Sequence, residues 1–395
     1  MLAATAALSG VVSCSDQDDI YREFVKEGGY VYPAKAMNPI AVVGFHKVTV
    51  TWDIPKDPAV KRARIFWDNY IDSVDVDYSV FTGNSAVAVI ENLRDRSYTF
   101  DIVNYDGKGN RSLPSEFSAV PYGDNWLKAR MERFDVNPYM NGTDAVVVMN
   151  DPKVAGQEND AELVATKFRY INKDGERVEL DRTLPPDEKS ITLPGAKEGK
   201  RFEYQSAYKK SDAVDTVWSG NWVKSKLPVL YILHTDGWTV TCTDGQTLNA
   251  SSGPEHIFDG ISDANHRYHS SNNASNRKVF PKILSIDTHA EPGKEPTFTK
   301  FCLRRDPIMN RRYIHRWCLF IGDSPYDPND MNAVNTFGTP AINTESYWSE
   351  QASSRGCAHT TGSCFALVFT NSRSGNGYID LWELECWGYI ASEAD

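Results

Sequence analysis

Short runs in which apolar side chains recur at every second position restrict this chain more than any other feature. The clearest is Tyr378–Tyr389, YIDLWELECWGY, where Ile379 and Leu381 alternate before the inward phase switches to Leu384 and Cys386. A period of two belongs to a half-buried β-strand, and a slip of phase marks a bulge, here near Trp382 and Glu383. Phe365, Leu367 and Phe369 alternate just upstream, and the polar loop NSRSGNG joins the two runs. A loop so rich in donors and acceptors suits contact with a polar ligand at the rim of a sandwich.

The pattern extends to the front of the chain. Val48, Val50 and Trp52 alternate, then Ile65 and Trp67, Val87 and Val89, and Tyr98, Phe100 and Ile102, with turn sequences such as Thr82-Gly83-Asn84 between them. Strands this short at this spacing predict a sandwich over residues 15–122. A second, over 123–228, is predicted from Ala145–Met149, from Phe168 and Tyr170, and from Leu193, Phe202, Tyr204 and Ala207, which echo Leu93, Tyr98 and Phe100. Trp126–Phe134 reads as a short linking helix, and Pro228 as the hinge into a last domain, 229–395. The expected fold class is all-β. Trp52, Trp67, Trp218 and Trp222 read as core or strand-pair residues rather than ligand platforms.

Charge and motif content narrow the function. The net charge is −11 with no Lys/Arg-rich stripe, which argues against a nucleic-acid partner. Beyond the N-terminus no apolar run approaches the roughly 20 residues that span a bilayer. No HExxH, GxSxG, P-loop or dinucleotide fingerprint occurs, and three sandwiches use the whole length. A non-catalytic chain is therefore expected.

Residues 1–14, MLAATAALSGVVSC, resemble the end of a bacterial lipoprotein signal, with Val11-Val12-Ser13-Cys14 as the lipobox and Cys14 as the acylated residue. The alternative is an ordinary buried segment. Ser15-Asp16-Gln17-Asp18-Asp19 resembles the surface-export signal of Bacteroidetes lipoproteins, or is a solvated tether. Together they imply a lipid-anchored protein on the outer-membrane surface. YREFVKEGGYVYPAKA and NLRDRSYTFDIVNYDGKGNRS resemble a Bacteroidetes lipoprotein family of the DUF4998 type, over about residues 17–225. Trp52, Leu93, Tyr98 and Phe100 give that region a likeness to fibronectin type III or Ig-like sandwiches.

Ile257-Phe258-Asp259-Gly260 with Tyr268-His269-Ser270, then Phe280–Asp287, FCLRRD at 301–306 and WCLFIGDS at 317–324, run in the order found in the discoidin domain. This domain, also called coagulation factor 5/8 type C, is a galactose-binding-like jelly roll used by many carbohydrate-binding modules. The resemblance covers roughly 229–390. It implies a glycan ligand at the rim loops and service in polysaccharide utilisation. An adhesin or scaffold that binds protein or lipid is the alternative, and an accessory of a glycoside hydrolase system a further one.

The same resemblance implies Arg304, Arg305 and Asn310 as ligand contacts, with Arg304 otherwise ion-paired to Asp306 or Asp287. His266, Trp348, Asn371 and Arg373 are further candidates, each with a structural alternative. Tyr268 stands where the family carries a structural Trp and is expected in the core. A structural calcium near the Asp259-Gly260 turn would draw on Asp259, Asp263 and Glu383. Besides Cys14, six cysteines occur, all after residue 241. Cys357–Cys364 is the first expected disulfide; Cys302–Cys318 and Cys242–Cys386 are weaker pairings, the alternative being free core thiols.

Overall fold

A computed structural model describes residues 32–151 and 161–395, apart from 246, 264, 272, 274, 276–278, 306–313, 346–351 and 373–376. Its regular structure is almost entirely antiparallel β. The described residues form two units. One holds those of Met1–Arg130, Asn159–Glu162 and Lys209–Val217, and the other holds Met131–Glu158, Leu163–Tyr208 and Trp218–Asp395.

In the first unit, Met37–Gly44, Lys47–Asp53 and Ser85–Ile90 make one sheet, and Asp72–Asp77, Val60–Trp67, Tyr98–Asp106 and Ser115–Ala119 the other. The alternation dictates the layering: Val48, Val50 and Trp52 point inward, as do Ile65, Phe100 and Ile102, all almost wholly buried. A polar relay crosses this core. Trp52 Nε1 donates to the Tyr78 hydroxyl at 2.8 Å, and that hydroxyl donates to Asn104 Oδ1 at 2.6 Å.

The second unit contains two sandwiches. Ser190–Leu193, Asp144–Asn150 and Phe134–Asn141 face a sheet built around Ala161–Ile171 and Glu203–Lys210, over a core of Ala145, Val147, Phe168, Leu193, Phe202 and Tyr204. The linking helix is shorter than predicted, Asp124–Lys128. Trp52 is core, but Trp218 and Trp222 are not: each is only partly buried and lies under a cation instead.

The last sandwich carries the predicted signature strand. One sheet runs Tyr231–Ile232, Glu383–Ile390, Pro296–Arg304, Ala352–Thr361; the other runs Thr239–Cys242, Lys282–Asp287, Cys364–Ser372, Ile314–Gly322, Ile342–Glu345. Ile379, Leu381, Leu384 and Cys386 are all buried, and the switch of phase falls at Trp382. There the chain changes partners. Asp380–Leu381 pairs with Tyr268–His269, whereas Glu383–Ile390 pairs with Pro296–Arg304, and the Trp382 N–H donates to the Arg304 carbonyl at 2.9 Å. Tyr268, 1% exposed, is core as expected.

The disulfides are a correction. Cys242, Cys302, Cys318, Cys357, Cys364 and Cys386 are free thiols. Cys357 lies on Ala352–Thr361 and Cys364 on Cys364–Ser372, in opposite sheets; Cys357 packs against the core, whereas Cys364 precedes the inward-facing Phe365 and so lies on the outer face of its strand. The two weaker pairings also join strands of opposite sheets. Burial pushes the Cys242 and Cys357 thiols up to about 11, so they behave as small apolar groups.

Candidate functional site

The strands of the last sandwich end at two rims. At one rim Arg304, Ala352 and Glu383 close one sheet, and Ile314, Glu345 and Ser372 close the other. Tyr268–Ser270 and Ile379–Leu381 pair beside this rim. The opposite rim meets the 131–228 sandwich: the Arg201 N–H donates to the Ala394 carbonyl at 2.8 Å, and Glu198 lies 2.6 Å from His234. The first rim therefore faces away from that neighbour and carries the expected site.

Arg304 is the last residue of its strand, on the outer face. Alternation along Glu383–Ile390 sets Glu383, Glu385 and Trp387 on the same face, and Lys300, Cys302 and Arg304 lie beside them. Arg304 Nε and Nη2 donate to Glu385 Oε1 at 2.6 and 2.5 Å, while the side chain stays 47% exposed. The carboxylate holds the guanidinium pKa above its ordinary value. Two of its five N–H groups are used in this way among the described residues. Among the described residues the ion-pair partner is Glu385 rather than Asp287, and Asp306 lies outside them. One strand position further in, Lys300 Nζ sits 3.9 Å from the Trp387 ring centroid.

Glu383 occupies the bulge. Burial pushes its carboxyl up and the Asp259 carboxylate adds to this, reaching about 8, while the Gly260 N–H acts in the opposite direction. Its Oε2 is buried with no hydrogen-bond partner among the described residues. Asp259 accepts from the Ile261 N–H at 2.8 Å and from His256 Nδ1 at 3.0 Å. Gly260 has φ of +76°, a left-handed turn that glycine takes without strain and that points its N–H at Glu383.

The other candidates divide. His266 is partly exposed, its Nδ1 and backbone N both 3.0 Å from Asp263 Oδ1, with its ring edge-on to His256 at 5.6 Å. Asp263 is thus committed to its own turn, and its carboxyl is held below its usual range by His266 and nearby N–H groups. Glu383 and Asp259 come together; Asp263 does not join them in any group of three metal-ligating side chains among the described residues. Arg305 is largely buried, 8% exposed. Asn371 is exposed at the end of its strand, opposite Arg316. Asn310, Trp348, Arg373 and Cys14 lie outside the described residues.

Sequence reasoning missed Glu385, Arg316 and Glu345, which form the ordered polar pairs of this rim; Arg316 Nε donates to Glu345 Oε1 at 2.6 Å. The alternation of Glu383 and Glu385 was the available signal for a shared face, but strand register was needed to set Arg304 beside them.

Residues 14–217 match the DUF4998 family, described as a domain of unknown function, across just over half of the chain. The chain belongs to DUF4998. No curated protein matches it. Among solved structures, this DUF4998 chain is similar to the family 32 carbohydrate-binding module of C. perfringens NanJ in complex with galactose. That likeness has 10% identity, 40% of this chain and 99% of that one, and a TM-score of 0.32. It is also similar to the SusE-like protein BT2857, with 8% identity, 89% and 97% coverage and a TM-score of 0.34. A fucolectin from Morone saxatilis serum matches with 13% identity, 76% and 84% coverage and a TM-score of 0.32.

Proposed function

We propose that this DUF4998 chain is a non-catalytic glycan-binding protein that takes carbohydrate at the Arg304 rim of its last sandwich. The observation that carries the reading is Arg304 itself, half-exposed and oriented by Glu385. Sugar hydroxyls are recognised by planar donors fixed in direction, and a guanidinium so held loses little entropy on binding. Asn371 on the neighbouring sheet adds an exposed amide. Glycan-array screening of the full chain, with Arg304→Ala as control, tests this; binding unaffected by the substitution contradicts it.

In the same reading the protein is anchored through Cys14 to the outer membrane, at the cell surface, and serves polysaccharide uptake. Labelling with a clickable fatty acid, compared with Cys14→Ser, tests the anchor. A cation at the bulge belongs to the proposal too. Glu383 and Asp259, two carboxylates pressed together beside a turn, are the residues that would hold calcium, with backbone carbonyls completing the shell. A second reading, a protein or lipid partner, draws on Ile261 and Val279, which expose apolar side chains within 243–281 at 42% and 44%.

A further inference from the structure

A second polar site lies far from the Arg304 rim, on the sandwich formed by residues 131–228. A pocket of about 360 Å³ is lined by six cationic side chains, Arg169, Arg177, Lys197, Lys200, Arg201 and Lys224, against two carboxylates, Glu203 and Asp395. Cationic side chains outnumber carboxylate side chains there, in a chain whose net charge is −11. Diffuse surface charge does not produce such a reversal; side chains converging from paired strands do. Arg177 stands opposite Ile171, two positions along the Ala161–Ile171 strand from Arg169, and Lys224 stands opposite Glu203.

The chain already fills part of the pocket with a carboxylate of its own. Lys224 Nζ lies 2.8 Å and Arg201 Nε 3.4 Å from Asp395 Oδ1, and Lys200 Nζ donates to the Asp395 backbone oxygen at 2.8 Å. The Arg201 N–H holds the preceding carbonyl of Ala394, which is buried, whereas the Asp395 side chain is 75% exposed. Its carboxylate can leave without the backbone moving. Lys197 has no carboxylate within ion-pair distance among the described residues.

Aromatic surface adjoins the cations. The Arg169 guanidinium stacks 4.3 Å from the centroid of Trp222, and Lys167 Nζ sits 4.8 Å from both the Trp218 and Trp222 rings. Cations cover a face of each ring, but both tryptophans are only partly buried, so the aromatic surface left open beside the cations matches a sugar ring that carries an anionic substituent. The pocket is at the small end of the range for ligand sites, about 300–1,000 Å³.

We propose that this pocket binds an acidic saccharide through its carboxylate or sulfate group, and that the Asp395 side chain occupies the anion position until the ligand displaces it. A nucleic-acid strand fits less well, because Glu203 and Asp395 interrupt the cations that would track a phosphate backbone. The site shares no residue with the Arg304 rim, so the two proposals fail or stand separately.

The full chain is titrated calorimetrically with an oligogalacturonate, its neutral methyl ester, a sulfated heparin oligosaccharide and an oligodeoxythymidine. The oligogalacturonate or the heparin oligosaccharide binds, and the methyl ester does not. Lys200→Ala combined with Lys224→Ala weakens binding by about tenfold or more, as expected for lost charge-assisted hydrogen bonds. Asp395→Asn, an exposed change that leaves the fold intact, tightens it about threefold. Failure of the Asp395→Asn chain to bind either acidic saccharide, equal affinity for the methyl ester, or tighter binding of the oligodeoxythymidine would overturn the proposal.

Discussion

Arg304 directs two donors at a single oxygen of Glu385, one from Nε at 2.6 Å and one from Nη2 at 2.5 Å. The pair is diagonal across two strands, since Arg304 stands opposite Glu383 and Glu385 opposite Cys302. Such a pair orients more than it stabilises. Glu385→Gln is expected to cost no more than about 1 kcal/mol of stability, as for exposed ion pairs, yet to weaken glycan binding severalfold by releasing the guanidinium. Thermal unfolding and affinity electrophoresis on the same variant separate the two effects.

Glu383 makes the last sandwich sensitive to base. Its carboxyl is raised in the folded chain to about 8, above its ordinary value of 4.5. Between those values the folded chain holds a proton that the unfolded chain has released. Stability therefore falls as pH rises from about 4.5 towards 8 and the penalty is complete above it. Glu383→Gln, which keeps the shape without the charge, is expected to flatten this slope and to gain on the order of 1 kcal/mol at pH 8, where the wild-type residue is charged. A pH series of thermal midpoints for both proteins checks it; parallel curves would refute it.

How much of this could be read from the sequence varies along the chain. Strand alternation around Val48–Trp52 and Ile379–Cys386 gave the layering, because burial on one face leaves a period that survives in sequence. The break at Trp382 was visible for the same reason. Cysteine pairing was not, since spacing along a hairpin says nothing of which sheet each arm joins; Cys357 and Cys364 lie in different ones. Arg304 was legible as a donor but its partner Glu385 was not, because that depends on register between strands some 80 residues apart in sequence. Trp218 does lie on a paired strand, Thr216–Trp218, but that it and Trp222 are covered by cations was not legible, because Lys167 and Arg169 come from another strand.

In the first unit the Trp52–Tyr78–Asn104 relay is buried, and Tyr78 is the link that both accepts and donates. Burial pushes its hydroxyl up to about 12, so it stays protonated and keeps donating. Tyr78→Phe leaves the Trp52 N–H and the Asn104 oxygen each without that partner. A loss of about 1–3 kcal/mol is expected, read from the denaturant midpoint of the transition that Trp52 fluorescence follows.

The free thiols give a chemical test of the last sandwich. Alkylation in denaturant without reductant, followed by peptide mapping, is expected to find Cys357 and Cys364 both modified. In the folded chain Cys386, fully buried with its thiol pushed well above the usual range, is expected to react slowest. Recovery of a peptide linking Cys357 to Cys364 would contradict the free thiols and the outward placing of Cys364.

The measurement closest to the central claim is affinity electrophoresis of the full chain through gels containing a panel of plant and host polysaccharides, with Arg304→Ala run alongside. Retardation by at least one neutral glycan, reduced about tenfold in apparent affinity by the substitution and with no change in thermal midpoint, is the predicted result. Equal retardation of both proteins, or none across the panel, would mean that this rim is not where carbohydrate is bound.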